Sequence, residues 1–177
     1  MAEQAVRRSP ADIGERLRAQ FGEDVVGADD VHGDAQVTIG RGRWVEAATL
    51  LRDEPALACD YFDFLTAVDF RPKGRGFEVV LQVHSTRHKH NVRLKTECAA
   101  EDPTCPSLSG VWPGANWFER ETAELFGITF EGHPHPVRLV LHEQFEGTPL
   151  RKDFSLMTRV AKPWPGEAEG EGEEAEE

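Results

Sequence analysis

No stretch of this 177-residue sequence reaches the roughly 18 consecutive apolar residues that a membrane-spanning helix requires. The opening segment MAEQAVRRSPADIGERL lacks the apolar core of a secretory signal, so the expectation is a cytoplasmic chain, or one held at a membrane through a partner. Basic residues are scarce: 20 Lys and Arg stand against 32 Asp and Glu, a net charge of −12. That balance excludes nonspecific nucleic-acid binding, which needs clustered cations against phosphate. Cysteine is limited to Cys59, Cys98 and Cys105, with no C-x-x-C pair and one left over in any disulfide scheme, so free thiols in a reducing compartment are expected. Neither G-x-G-x-x-G nor G-x-x-x-x-G-K-[ST] occurs, so no dinucleotide or phosphate-loop site is indicated. H-E-x-x-H and internal repeats are also missing.

A chain of this length buries one respectable core, so one compact domain with tails is expected. Seven of the negative charges fall in GEAEGEGEEAEE, residues 166–177, leaving −5 for the rest. That end carries nothing apolar larger than Ala, and residues 167–177 are expected to be a disordered acidic tail. Ser9-Pro10-Ala11-Asp12 marks a helix start, Ile13, Leu17 and Phe21 give it one apolar stripe, and Gly22 ends it. Val37 and Ile39 alternate with Gln36 and Thr38, which predicts a half-buried strand; Trp44, Ala48 and Leu51 follow at helical spacing, closed by Pro55. Three strand-like runs come next, at 61–70, 77–85 and 90–97, joined by RPKGRG and STRHK, so neighbouring antiparallel strands are expected.

The stretch from Cys98 to Asn116 is rich in Pro, Gly and Ser and reads as an ordered loop leading into NWFERETAELFG, residues 116–127. There Asn116 is placed to cap, Glu119 to complete a capping box, and Gly127 to stop the helix. Glu119 and Glu121 would lie in the first turn, and Arg120 would pair with Glu124 along the helix. Trp112, Trp117, Phe118, Leu125 and Phe126 crowd around these charges, a mixture found in cores and in protein interfaces alike. Beyond the helix lies a long proline-rich stretch with little periodicity but many apolar residues. Its length without a core of its own predicts an extended arm that lies on something else.

Two catalytic readings find little support. His133, His135 and His142 are close in sequence, but H-P-H is not a ligand spacing that zinc or other transition metals use. Cys98 and Cys105 lack the second pair that an iron–sulfur site would need, and nothing selects Cys98 as a nucleophile.

WPGANWFERE, T-A-E-LFGI, F-x-GHP and EGTPLRKDF, taken in order, resemble the C subunit of NADH-quinone oxidoreductase, respiratory complex I. The family signature runs Glu-Arg-Glu, two variable positions, an acid, an apolar-aromatic pair and Gly, then Gly-His-Pro and Pro-Leu-Arg-Lys-Asp-Phe. These stand at Glu119-Arg120-Glu121, Glu124, Leu125-Phe126, Gly127, Gly132-His133-Pro134 and Pro149 to Phe154. The close resemblance spans about residues 106–166, and RVAKPWPG (159–166) is similar to how some bacterial members finish. Glu124 replaces the usual Asp, and His135-Pro136-Val137 replaces a more typical acid-and-apolar stretch.

The resemblance implies an α+β fold: a small mixed or antiparallel sheet with flanking helices at 1–130, an arm at 131–166 that docks on a partner, and the acidic tail at 167–177. It implies an unfused subunit of a translocating NADH:quinone oxidoreductase, on the cytoplasmic side of a bacterial cell membrane. FMN, iron–sulfur clusters and quinone would belong to other subunits, with no cofactor, metal or catalytic residue in this chain. The D, B and I subunits would be its partners. Glu119, Arg120, Glu121, Glu124, Phe126, His133, Pro149, Leu150, Arg151, Lys152, Asp153 and Phe154 would form the partner interface. Arg151 in particular is expected to meet a partner carboxylate with both arms of its guanidinium. The alternatives are a homologous scaffold subunit of a membrane-bound hydrogenase or related dehydrogenase, and a free-standing metal hydrolase using the histidine-rich stretch.

Overall fold

A computed structural model describes residues 7–155. The expected acidic tail, 167–177, and the RVAKPWPG segment lie outside those residues. The architecture is α+β, with a five-stranded mixed sheet flanked by helices.

The first helix, α1 (Pro10–Phe21), begins with the capping box the sequence announces. Ser9 Oγ accepts the Asp12 N–H at 3.1 Å and the Asp12 carboxylate accepts the Ser9 N–H at 3.3 Å. Its buried stripe is Ile13, Gly14 and Leu17. Two strands follow, β1 (Val25–Val31) and β2 (Asp34–Ile39), an antiparallel hairpin. β1 has no apolar alternation and escapes a pattern reading; the signal that reveals it is the two-residue turn His32-Gly33, both at positive φ, with the Asp30 carboxylate accepting the Gly33 N–H at 2.8 Å. Next come α2 (Trp44–Asp53), which buries Trp44, Ala47, Ala48 and Leu51, and the strands β3 (Tyr61–Asp69), β4 (Phe77–His84) and β5 (Asn91–Cys98).

The sheet order is β1-β2-β5-β4-β3. β3, β4 and β5 are successive antiparallel neighbours, as their short links require, whereas β2 joins β5 in parallel. The registers Leu65↔Leu81, Leu81↔Leu94 and Val37↔Leu94 carry one apolar row across four strands. Ile13, Leu17, Trp44, Ala48 and Leu51 close over that row to make the core. Burying such side chains is worth about 1.5–3 kcal/mol each relative to exposure, which is what holds the layers together.

The stretch expected as a loop between Cys98 and Asn116 contains a short strand, β6 (Thr104–Pro106), which pairs in parallel with β7 (Thr129–Glu131). Between these two runs α3 (Ala115–Phe126), which packs beside β3. Phe118 meets Phe62 at 5.4 Å between ring centroids, and Phe126 meets Phe77 edge-on at 6.4 Å. Each of β6 and β7 is too short to declare itself by periodicity, and each exists through the other.

Candidate functional site

The signature residues gather on α3 and on the segment that returns to it. The helix starts two residues earlier than an Asn116 cap would place it, with Gly114 at the cap position and no side-chain cap, so Asn116 does not cap it. Glu119 therefore lies in the second turn and no capping box forms. Its side chain is instead fully buried and faces the loop before the helix. Glu119 Oε1 accepts the Leu108 N–H, and Oε2 accepts the Ser107 hydroxyl at 2.5 Å. Burial pushes the carboxyl up to about 7 against the opposing effect of those two bonds. His133 Nε2 stands 3.9 Å from Oε2 and donates to the Asn116 carbonyl at 3.1 Å.

The expected Arg120–Glu124 pair along the helix does not form, because the returning chain offers both side chains better partners. Arg120 donates to the Val137 carbonyl at 2.8 Å and to the Arg138 carbonyl at 3.1 Å. Glu124 accepts three successive N–H groups, from Leu139, Val140 and Leu141, at 3.0, 2.8 and 2.7 Å. Burial works to raise the Glu124 carboxyl, but the three donors outweigh it and hold it below its ordinary value. Arg138 in turn gathers the carbonyls of His142, Glu143 and Phe145 within 3.3 Å. A proline-rich segment without a ladder thus has its backbone groups satisfied by side chains, which is the condition for ordering it. Beneath it lies a cavity of about 450 Å³ lined by Glu119, Arg120, Glu124, His133, Arg138 and Thr148 among others.

The end of α3 is held by Arg151, the residue expected from the sequence to meet a partner carboxylate, and its contacts here lie within this chain. Arg151 Nε donates to the Phe126 carbonyl at 2.5 Å and Nη2 to the Gly127 carbonyl at 3.3 Å, filling acceptors that a helix C-terminus leaves open. Gly127, at φ 70°, permits this: a Cβ there would stand 2.6 Å from Arg151 Nη2. The Leu150 N–H reaches the Leu125 carbonyl at 3.1 Å, and Phe154 stacks on Phe145 at 6.0 Å. The Lys152 N–H donates to Asp69 at 2.9 Å, and Asp153 pairs with Arg71 at 2.8 Å. Asp69 is buried against Arg71, whose bidentate hydrogen bonds hold its carboxyl well below the usual range. Glu121 and Leu150 border a narrow apolar groove with Phe64 and Leu125, and Pro149 lies in the turn that the Arg151 N–H closes on the Thr148 carbonyl at 3.1 Å. So the arm, as far as residue 155, lies on this chain's own α3 and β3.

The histidines and cysteines among the described residues stand apart from one another or are buried. His135 N–H donates to His133 Nδ1 at 3.0 Å, while His142 stands edge-on to Phe145, so the three histidines do not converge. Among the described residues no three His, Cys, Asp or Glu side chains are grouped as a metal site. All three cysteines are buried free thiols. Cys59 lies 3.8 Å from His90 Nε2, but burial pushes its thiol up to about 12, which keeps it protonated and a poor nucleophile. Asp69, Arg71 and Ser107 go unmarked in the sequence, because they are joined to the signature only in space.

Four of the seven large hydrophobic side chains exposed among the described residues sit on α3 or the arm: Trp117, Val137, Val140 and Leu150. No helix among the described residues is long and apolar enough to cross a membrane.

Residues 37–160 match the family model described as respiratory-chain NADH dehydrogenase, 30 kDa subunit. Among curated relatives, the NADH-quinone oxidoreductase C subunit of Roseiflexus sp. (strain RS-1) is 40% identical over 146 residues, covering 82% of this chain and 84% of its own length. The same-named protein of Methylorubrum populi is 42% identical over 144 residues, covering 81% of this chain and 65% of its own length. Among solved structures, the trypsin-resistant fragment (1-134) of Nqo5 superposes with a TM-score of 0.58 at 25% identity, over 70% of this chain and 98% of the fragment. A chain from the membrane-bound sulfane sulfur reductase, an archaeal respiratory membrane complex, superposes with a TM-score of 0.64 at 21% identity, over 93% of this chain and 98% of that chain; this likeness shows the fold alone.

Proposed function

This chain belongs to the family of the respiratory-chain NADH dehydrogenase 30 kDa subunit, and from that premise we propose that it acts as an architectural subunit of a proton-translocating NADH-quinone oxidoreductase. In this reading it supplies no catalytic residue and holds no cofactor; flavin, iron–sulfur clusters and quinone belong to other subunits. Its partners are the D, B and I subunits, on the cytoplasmic face of the membrane. The observation that supports the reading most directly is the use to which the signature is put. Glu124, Arg120 and Arg151 are engaged with backbone groups of the same chain, which shapes the arm, while Trp117, Val140 and Leu150 remain uncovered on the shaped surface. An aromatic and two aliphatic side chains on a rigid, hydrogen-bonded frame are the kind of anchors around which protein interfaces concentrate their energy.

The test is purification of the tagged full-length chain under mild detergent, followed by identification of the proteins that accompany it. The D, B and I subunits together with a hydride-accepting flavin module are the expected companions. A nickel-iron large subunit would replace this reading with the hydrogenase one, and stoichiometric zinc or iron in the chain isolated alone would replace it with a metal hydrolase. Trp117→Ala should reduce recovery of the partners by tenfold or more, on the order of the 1.4 kcal/mol that a modest anchor contributes. Unchanged recovery would remove Trp117 from the interface.

A further inference from the structure

Glu119 has a role left open by the scaffold reading. Its hydrogen-bond donors among the described residues are neutral, the Leu108 N–H and the Ser107 hydroxyl, although the side chain has no solvent exposure. The groups that face it are few. From the loop come Ser107 and Ser109, from β6 the Cys105 thiol, which its hydrogen bond with Cys98 and then burial keep protonated, and from the turn after β7 the His133 ring. Arg120, next along α3, is turned away toward the carbonyls of Val137 and Arg138. Ser107 Oγ is itself 2.7 Å from Ser109 Oγ and accepts the Ser109 N–H at 3.1 Å, and Ser109 is half-exposed. A continuous line of oxygens therefore runs from a buried carboxyl to the surface, each within hydrogen-bond distance of the next.

We propose that Glu119 is a proton-binding site of the folded chain, filled and emptied through the hydroxyls of Ser107 and Ser109. The line of oxygens accommodates both states without moving a heavy atom. With the carboxylate ionised, Ser109 donates to Ser107 and Ser107 donates to Oε2. On uptake, a hydronium ion or other solvent acid gives its proton to Ser109 Oγ, the Ser109 proton passes to Ser107 Oγ, and the Ser107 proton passes to Oε2. One proton has left solvent, one O–H bond has formed on the carboxyl, and every hydrogen bond in the line has reversed. Burial disfavours the ionised form, so the site holds its proton to about pH 7. His133 registers the state. Its Nδ1 accepts the His135 N–H and its Nε2–H donates to the Asn116 carbonyl, with Oε2 3.9 Å away, so ionising the carboxyl changes the electrostatic field on the ring without changing its hydrogen-bond partners.

The experiment is an infrared titration of the full-length chain labelled with ¹³C-glutamate, following the C=O stretch of un-ionised glutamic acid. Exposed glutamates lose that band at about pH 4.3 in the ordinary way, so a band surviving above about pH 6 isolates a raised group. We expect such a band with a midpoint near 7, absent in Glu119→Gln, and moved upward in Ser107→Ala because the Ser107 bond favours the ionised form. The His135 amide shift should titrate with the same midpoint in the native chain and lose that titration in Glu119→Gln. A carboxyl ionised throughout about pH 6–9 would overturn the proposal, as would a band that persists in Glu119→Gln or a midpoint indifferent to Ser107→Ala. The Ser107→Ala measurement retains Glu119, so the test stands even if Glu119→Gln folds poorly. None of these readouts depends on partners, so their failure is distinct from failure of the scaffold reading.

Discussion

Replacing Arg151 with alanine separates an internal clamp from a docking residue. The guanidinium serves the Phe126 carbonyl at 2.5 Å, the Gly127 carbonyl at 3.3 Å, and the face of Phe77 at 5.2 Å. A hydrogen bond from a charged donor is worth about 1.5–3 kcal/mol net. A cation at a helix C-terminus adds roughly 0.3–1 kcal/mol, and a contact with a ring face about 0.5–1 kcal/mol where exposed. One group makes all three contacts and is half-buried, so they do not sum; a total of about 2–3 kcal/mol is the reasonable expectation. For a chain of this size each kcal/mol moves the melting temperature by roughly 2–4 °C, so Arg151→Ala should lower Tm by about 4–12 °C. Hydrogen exchange should locate the damage. The Leu150 amide, bonded to the Leu125 carbonyl at 3.1 Å, should lose protection, while the Leu81 and Leu94 amides of the central strands should lose only what the global destabilisation dictates. Arg151→Lys, which can reach one carbonyl but cannot reproduce the fork, should fall between the two. The reasoning is refuted if Arg151→Ala melts within about 1 °C of the native chain and the Leu150 amide keeps its protection. If the variant then also failed to assemble with partners, Arg151 would be a docking residue after all.

Three further outcomes follow from the same contacts. Gly127→Ala should cost about 1–3 kcal/mol, since it places a side chain at φ 70° and a Cβ 2.6 Å from Arg151 Nη2; combined with Arg151→Ala it should cost less than the two separately, as a double-mutant cycle in thermal unfolding would show. Asp69→Asn should cost about 3–5 kcal/mol, because it leaves Arg71 without its buried carboxylate and weakens the tie to the Lys152 N–H; denaturant titration measures it, and a loss under about 1 kcal/mol would mean that Asp153 alone suffices. His90 is held below its ordinary value by burial, with His88 adding to the effect. The unfolded chain therefore takes up a proton that the folded one refuses, so stability present above about pH 6.5 should decline as pH falls through that value, and His90→Gln should flatten that part of the profile.

What the sequence determined by itself was whatever a local rule dictates. The capping box at Ser9 and Asp12, the alternation at Val37 and Ile39, and the turns joining β3, β4 and β5 each depend on neighbours a few residues away, and each was legible. So was the family, because its signature blocks keep their order and spacing. What escaped was decided by distant chain. β6 and β7 are strands only because each supplies the other's hydrogen bonds, and β2 finds β5 in parallel across more than fifty residues. The charges of α3 were misassigned for the same reason: local rules offered Glu119 a capping box and Arg120 a partner at Glu124. In the folded chain Glu119 meets Leu108 and Ser107, while Arg120 and Glu124 meet the backbone of residues 137–141. A carboxylate bonded to three successive backbone N–H groups outcompetes a surface pair worth a few tenths of a kcal/mol, and only the tertiary structure brings those donors within reach.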